Sequence, residues 1–227
     1  MQNKITALGW CTVGTPIHEH VFRASVAEYV PDEVRRYVKY NQPTFGAGYN
    51  ELVKSMIAEG HKTFAICNDD IVLRPDTWAN LQNDWDLLMT SDRPEHYVAG
   101  VLACRHDYVR MGPQNIRFDY GRVNLQSVSY PEERQIVNVA GIAPILAVYS
   151  AEAWIDFPEI NWFSDDVQCY DIRQSGHTIW VSRAYCHHIG SMTMGHNYEQ
   201  EERTAVEWLK NNRPDFYERL ARHRNAQ

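Results

Sequence analysis

Apolar positions along the chain come in short runs separated by polar islands. The most decisive run is 63–67, TFAIC, which follows Gly60 and stops abruptly on Asn68, Asp69 and Asp70. A short, nearly continuous run with β-branched and aromatic members predicts a strand buried on both faces, as in a parallel sheet. Comparable runs predict strands at 5–10, 36–40, 97–104 and 177–185, and 136–149 is apolar but interrupted by Gly141 and Pro144. Helical periodicity falls between them. Over 44–59, Leu52, Val53, Met56 and Ile57 recur at helical spacing and Gly60 closes the segment; over 77–89, Trp78, Leu81, Trp85 and Leu88 form one stripe. A short helix is expected at 151–154, and another ends at Gly176. Strands alternating with helices predict an α/β fold with a mainly parallel sheet built by right-handed crossovers. The stretch 105–135 breaks the pattern, with Gly112, Pro113, Gly121 and Pro131 among several Arg and Asp. An excursion of that length in a compact domain is expected to be functional or partly disordered, and acceptor recognition is the obvious use. The last stretch, 197–224, is charged and helix-prone, split by Pro214, and Tyr198, Val206, Leu209, Phe216 and Leu220 can dock it on the body.

The chain has 227 residues, enough for one large domain with a sizeable core. The pattern divides it into a domain at 1–195 and a helical extension at 196–227 packed on the same domain. A net charge of −7 argues against a surface that coats nucleic acid. Five cysteines without a CxxC pair read as reduced thiols. No run approaches eighteen apolar residues and the first residues have no long apolar core, so a soluble, cytoplasmic protein with no membrane partner is expected.

The polar islands carry the candidate chemistry. Adjacent carboxylates at the end of a buried strand raise each other's pKa unless a cation or strong donors sit between them. The C-terminal edge of an open α/β sheet is also where ligands bind. A divalent ion whose remaining coordination comes from phosphate would resolve the repulsion. Taken alone, Asn68-Asp69-Asp70 is better explained as an Asx-rich turn, with Asp76 capping the next helix. The loop carrying Thr12, Gly14 and Thr15 after the first strand suits a nucleotide. His18, Glu19 and His20 lack a full ligand set, which favours a structural role. Gly46 and Gly48 let backbone N–H groups approach a phosphate or sugar, or serve only a turn. Asp165 and Asp166 open a helix directly after Trp162 and Phe163. Acidic residues there complement the helix dipole, and an aromatic wall also suits a carboxylate to accepting a proton. Of His187 and His188, consecutive on a strand, one at most faces a given site.

In order and separation these islands resemble the GT-A glycosyltransferases, particularly the inverting family 2 type. The matching segments are FGAGYNELVKSMIAEGHKTFAICNDDIVLRPDTW, NWFSDDVQCYDIRQSGH and AYCHHIGSMT. The resemblance covers most of residues 1–195. It implies a GT-A, Rossmann-like mixed sheet, mainly parallel and flanked by helices, with a C-terminal helical tail. It further implies that Asp70 binds a divalent metal (Mn²⁺ or Mg²⁺), joined by His188 and by Asn68 in place of the first aspartate. Asp166 or its neighbour Asp165 resembles the general base. Thr12, Asn41, Asn50 and Asp69 fall at donor-binding places, and Trp162 and Phe163 are placed to stack on a sugar or the acceptor. The chain departs from the family in having Asn41 where an aspartate reads the nucleobase, Gln168 after the acidic pair, and no Lys-Trp in the tail.

The activity implied is metal-assisted, inverting transfer of a sugar, hexose or pentose, from a nucleotide-diphosphate sugar, UDP foremost, to an acceptor hydroxyl. Two other readings stand beside it. A sugar nucleotidyltransferase would want a basic, Gly-rich signature after the first strand, and GWCTVGTP has no basic residue. A non-catalytic nucleotide- or carbohydrate-binding module would bind without turnover. The acceptor is open among a modified base in DNA, a protein hydroxyl and another sugar. Arg105, Arg110, Arg117 and Arg122, interleaved with Tyr108, Phe118 and Tyr120, are the residues that would meet a phosphate backbone.

Overall fold

The computed structural model describes residues 3–90, 98–108, 112–113, 115–119, 122–127, 135–190 and 198–224. Strand β1 (Ala7–Thr12) leads through a π-helical turn, His18–Phe22, into α1 (Arg23–Tyr29) and β2 (Arg35–Tyr40). Next come α2 (Phe45–Ala58), β3 (Thr63–Cys67), β4 (Ile71–Leu73), α3 (Thr77–Thr90) and β5 (Val98–Tyr108). Short strands β6 (Gly112–Pro113), β7 (Asn115–Asp119), β8 (Arg122–Ser127) and β9 (Val137–Val139) precede β10 (Leu146–Ser150). Helix α4 (Ser164–Gln174), β11 (His177–His188), α5 (Tyr198–Asn212) and α6 (Pro214–Arg224) complete the chain.

The sheet runs β2-β1-β3-β10-β5-β11-β4, and β7 pairs with β8 in a separate ribbon. β1 is parallel to β2 and β3, and β5 is parallel to β11. β10 lies antiparallel between β3 and β5, so β1, β2, β3, β5 and β11 all point one way. Their C-terminal ends, from Thr12 to His188, form one edge. The fully buried run of β3 explains its central place. On one face Leu8, Trp10, Leu102 and Cys104 meet α1 and the α3 stripe Trp78, Leu81, Trp85 and Leu88. On the other Ala7, Phe64, Ile66 and Tyr149 meet Leu52, Val53 and Met56 of α2 and Cys169 and Ile172 of α4. A Cβ on Gly9 would lie 2.2 Å from Leu52 and Met56, so this glycine lets α2 sit close on β1. Helices on both faces of a mainly parallel sheet are the expected architecture.

The structure corrects several sequence expectations. Residues 151–154 form a turn, with the Ala153 N–H donating to the Ser150 carbonyl, rather than a helix. The run 136–149 divides into β9 and β10 around Gly141 and Pro144. Ile57 is 37% exposed, outside the α2 core face. The helical segment 18–29 and the three-residue β4 had no counterpart in the sequence reading. The excursion 105–135 carries strands β6 to β8 and the end of β5. Tyr97, Arg110, Tyr120, Gly121 and Pro131 lie outside the described residues. Among those residues no helix is long and apolar enough to cross a membrane.

β11 carries a bulge that bears on the site. Val181 pairs with Ala103 but Tyr185 with Arg105, so β11 has two extra residues there. Fully buried Asp84 of α3 holds them. Its Oδ2 accepts from the Ser182 hydroxyl and the Arg183 N–H, both at 2.7 Å, and its Oδ1 from the Arg183 guanidinium. A bulge re-aims the strand beyond it, here the half that ends at His188. Replacing Asp84 with Ala leaves a buried hydroxyl, a backbone N–H and a guanidinium without their acceptor. The expected cost is about 3 kcal/mol in urea unfolding.

Candidate functional site

The site is built at the C-terminal edge where β1, β2, β3 and β11 end. After Cys67 the chain turns, with the Asn68 N–H donating to the Ile145 carbonyl at 2.9 Å. Asp69 and Asp70 are buried at 6% and 5% exposure. Asp70 is framed by β4 and β11: His188 pairs with Ile71, and the Ile189 N–H donates to the Asp70 carbonyl at 2.9 Å. This brings His188 Nε2 within 3.2 Å of Asp70 Oδ1, with both side chains buried. His188 is buried and His187 exposed, as alternation on a strand requires. Behind His188 stands His106 of β5, also buried, its ring 5.2 Å away and nearly perpendicular. His106 falls in the stretch where the apolar pattern breaks off at Arg105, so the sequence does not single it out, whereas β5 continues to Tyr108.

Asp69 faces the other way, toward β1. Burial pushes its carboxyl above the ordinary range, Asp70 adds to the rise, and the neighbouring Thr12 hydroxyl and His18 oppose it. Its Oδ2 is buried with no hydrogen-bond partner among the described residues. Thr12 is buried too; its hydroxyl accepts from the Gly14 N–H at 2.9 Å and its carbonyl accepts from the Asn41 N–H at 3.0 Å. Asn41 is exposed at the end of β2 with φ of 54°, a left-handed conformation that asparagine tolerates better than most residues. The structure therefore gathers Thr12, Asn41 and Asp69 on one side of the edge and Asp70 and His188 on the other. Asn68, half-buried, starts the turn between the two sides.

Asp165 and Asp166 lie in the first turn of α4. Because α4 leads through Gly176 into the start of β11, its N-terminus lies at the same edge as the strand ends. Asp166 is 7% exposed and Asp165 more open. Phe163 enters α4 with φ of 64°, rare for a bulky residue, and its ring lies 6.4 Å from that of Trp162 at 84°. Asn161 fixes this segment from both sides, accepting from the Phe45 N–H at 2.8 Å and donating to Glu201 at 3.2 Å.

Other residues of interest turn out to be structural ties. The Asn50 amide makes two 2.8 Å bonds with the backbone of Phe157, one donated and one accepted, so its polar atoms are engaged inside the fold. A Cβ on Gly46 would fall 1.9 Å from the Pro158 carbonyl oxygen, so that glycine admits a crossing chain. Gln168 accepts from the Tyr149 hydroxyl and donates to the Ile155 carbonyl. His18, fully buried, accepts from Trp10 Nε1 at Nε2, which leaves Nδ1 to donate to Glu19; its role is packing, as the incomplete ligand set suggested.

A divalent ion fits this edge in one way. Asp70 Oδ1 is buried and makes no aligned hydrogen bond, although His188 Nε2 lies close to it. No group of three or more His, Cys, Asp or Glu among the described residues could hold a metal by itself. Such a pair matches ions that take one or two protein ligands and complete their shell with substrate phosphates and water.

No family model matches the chain, and no curated protein matches it significantly. Similar solved structures exist. A197 from STIV superposes with a TM-score of 0.56 at 11% identity, covering 83% of this chain and 87% of its own. GalNAc-T7, solved with UDP, GalNAc and Mn²⁺, gives 0.60 at 10% identity over 83% of this chain and 44% of its own. TarS of S. aureus, residues 1–349, gives 0.50 at 12% identity over 89% and 64%. This chain thus spans less than two thirds of the latter two. At such identities the likeness establishes the fold, a GT-A, Rossmann-like one.

Two outcomes test this geometry. Asn50→Ala is expected to lower unfolding stability by about 2 kcal/mol, because it removes both bonds to Phe157. Asp69→Asn is expected to raise Tm by ~3 °C at neutral pH without ligand. A carboxyl with a raised folded-state pKa weakens the fold increasingly as pH rises from its ordinary value of 3.8. The gain should therefore vanish below about pH 4 in scanning calorimetry.

Proposed function

We propose that the chain is a glycosyltransferase that moves a sugar from a nucleotide-diphosphate sugar, UDP foremost, to an acceptor hydroxyl with inversion. Residues 1–195 form its catalytic domain and 196–227 the helical extension, and its free cysteines suit a reducing, cytoplasmic setting. The observation that carries this reading is the buried Asp70–His188 pair beside Asp69 and Thr12, at the sheet edge where α/β folds bind ligands. GalNAc-T7, of similar fold, was solved with UDP, GalNAc and Mn²⁺, which supports a nucleotide-sugar donor and a divalent ion.

Asp70 and His188, with Asn68 at the turn, would hold Mn²⁺ or Mg²⁺. When bound, the ion neutralises charge on the departing diphosphate. Asp69 and Thr12 hold the nucleoside side of the donor through oxygen atoms at the end of β1 and β3, and Asn41 stands where the base is read. Asn50 secures the Phe157 segment behind them and reaches the donor only through that support. Asp166, or Asp165 beside it, takes the proton from the acceptor hydroxyl. The hydroxyl oxygen attacks the anomeric carbon as the bond to the diphosphate oxygen breaks on the opposite face, and this single displacement inverts the configuration. Trp162 and Phe163 offer apolar ring surface for the sugar or the acceptor. A modified base in DNA stays among the candidate acceptors.

The test combines binding with turnover. UDP, GDP, CDP and dTDP are each added with and without Mn²⁺ in a thermal-shift series, since a ligand that binds the folded state raises Tm by mass action. One diphosphate is expected to give a metal-dependent rise that Asp70→Asn removes. Transfer by that variant is expected to fall about 10²-fold or more. An unchanged transfer rate in Asp70→Asn would sink the proposal, and binding without turnover would favour the binding-module reading.

A further inference from the structure

The sheet ends on β2, and that edge is open. The Arg35 and Asn41 N–H groups donate to the Thr6 and Thr12 carbonyls at 3.0 Å, so the odd-numbered residues of β2 hydrogen-bond toward β1. Arg36, Val38 and Tyr40 therefore turn their N–H and C=O groups outward. Among the described residues no strand pairs with them. The Tyr40 carbonyl accepts from the Gln42 side-chain amide at 2.8 Å, which leaves it a second lone pair. Two of the side chains are open as well, Val38 at 38% and Tyr40 at 52% exposure. Natural sheets blunt such an edge with a bulge, a proline or outward charges. β2 pairs with β1 in unbroken register and contains no proline. Its basic residues are engaged on their own chain: Arg35 with Glu59 at 2.9 Å, Lys39 with Glu51, and Arg36 with the Val30 and Val34 carbonyls at 3.0 and 3.2 Å.

An open edge accepts a further extended strand, because main-chain hydrogen bonds supply the attraction without a preformed pocket. The residues of β2 identify that strand. Taken antiparallel to itself about Val38, RRYVKY sets Val38 opposite the second copy's Val38, Arg36 opposite Tyr40, and Tyr37 opposite Lys39. Aliphatic meets aliphatic and cation meets aromatic ring, and no like charges stand directly opposite. In the same register the outward N–H and C=O groups of Arg36, Val38 and Tyr40 fall opposite one another, where antiparallel partners exchange both bonds. Such self-complementarity is what a two-fold contact between identical chains requires. We propose that two copies of this chain pair through β2, antiparallel about Val38, so that their sheets join into one. The strand is short and the contact small, which sets a dissociation constant on the order of 1–100 µM. This inference stands independently of the glycosyltransferase reading.

The experiment is sedimentation velocity of the full chain from about 1 to 300 µM, with amide hydrogen exchange measured at both ends of that range. A reversible monomer–dimer equilibrium is expected, and the Val38 and Tyr40 amides should exchange more slowly at the higher concentration. Val38→Pro removes the central N–H without breaking a bond to β1, since that group points outward. Val38→Lys sets two ammonium groups against each other across the axis, and its exposed position keeps the test decisive if proline disturbs the strand. Each variant is expected to raise the dissociation constant at least about tenfold while circular dichroism shows the fold intact. A chain that stays monomeric over the whole range overturns the proposal, as does a dimer that Val38→Lys leaves intact. Protection of the two amides that does not change with concentration would place another segment of the same chain along the edge, and overturns it too.

Discussion

Two consecutive carboxylates at the end of the most buried strand are the constraint around which this molecule is arranged. β3 has both faces covered, so its C-terminal residues emerge into a region already poor in water. Asp69 and Asp70 cannot share a direction there without strong repulsion. The fold separates them. Asp70 is turned to the far side of the sheet by β4 and met by His188, while Asp69 is turned to β1 and met by Thr12. Much of the surrounding architecture follows from keeping those partners in place. The bulge held by Asp84 aims the last half of β11, and the Asn41 N–H fastens β2 to the end of β1.

The same constraint explains why the site carries both a stability defect and a chemical opportunity. Asp69 retains an unmatched oxygen within the fold, and Asp70 has only a loosely aligned histidine beside it. Groups held in this condition weaken the fold, a pattern common at binding sites. The neighbouring polar residues Asn50, Gln168 and His18 are the contrast. Their polar atoms make hydrogen bonds inside the protein.

Much of the sheet was legible in the sequence because β3 and the α3 stripe have unambiguous periodicity. The segment 18–29 was not read as helical, although Thr15 and Pro16 announce its start: the Thr15 hydroxyl accepts from the His18 N–H at 3.2 Å and the Thr15 carbonyl from the Glu19 N–H at 3.0 Å. β4 was hidden by its length, three residues between an acidic turn and Arg74-Pro75. Asp69, Asp70 and His188 could be singled out because polar residues end an apolar run, and the structure places Asp70 against His188. What the sequence could not supply was the destination of each polar group. Asn50 reads as a candidate ligand until its amide is seen against Phe157, and His106 is invisible until β5 is known to extend past Arg105.

Asn161 and Arg213 grip the two ends of α4. The first links the segment leading into the helix to α2 and to Glu201 of α5; the second holds Asp171 near its far end through two bonds of 2.7 and 2.8 Å. Between them Val167 packs on Leu209 and Phe216. A rod fixed at both ends and along one side has little freedom to pivot. The tail thus acts as a splint on the helix that carries Asp165 and Asp166 in its first turn.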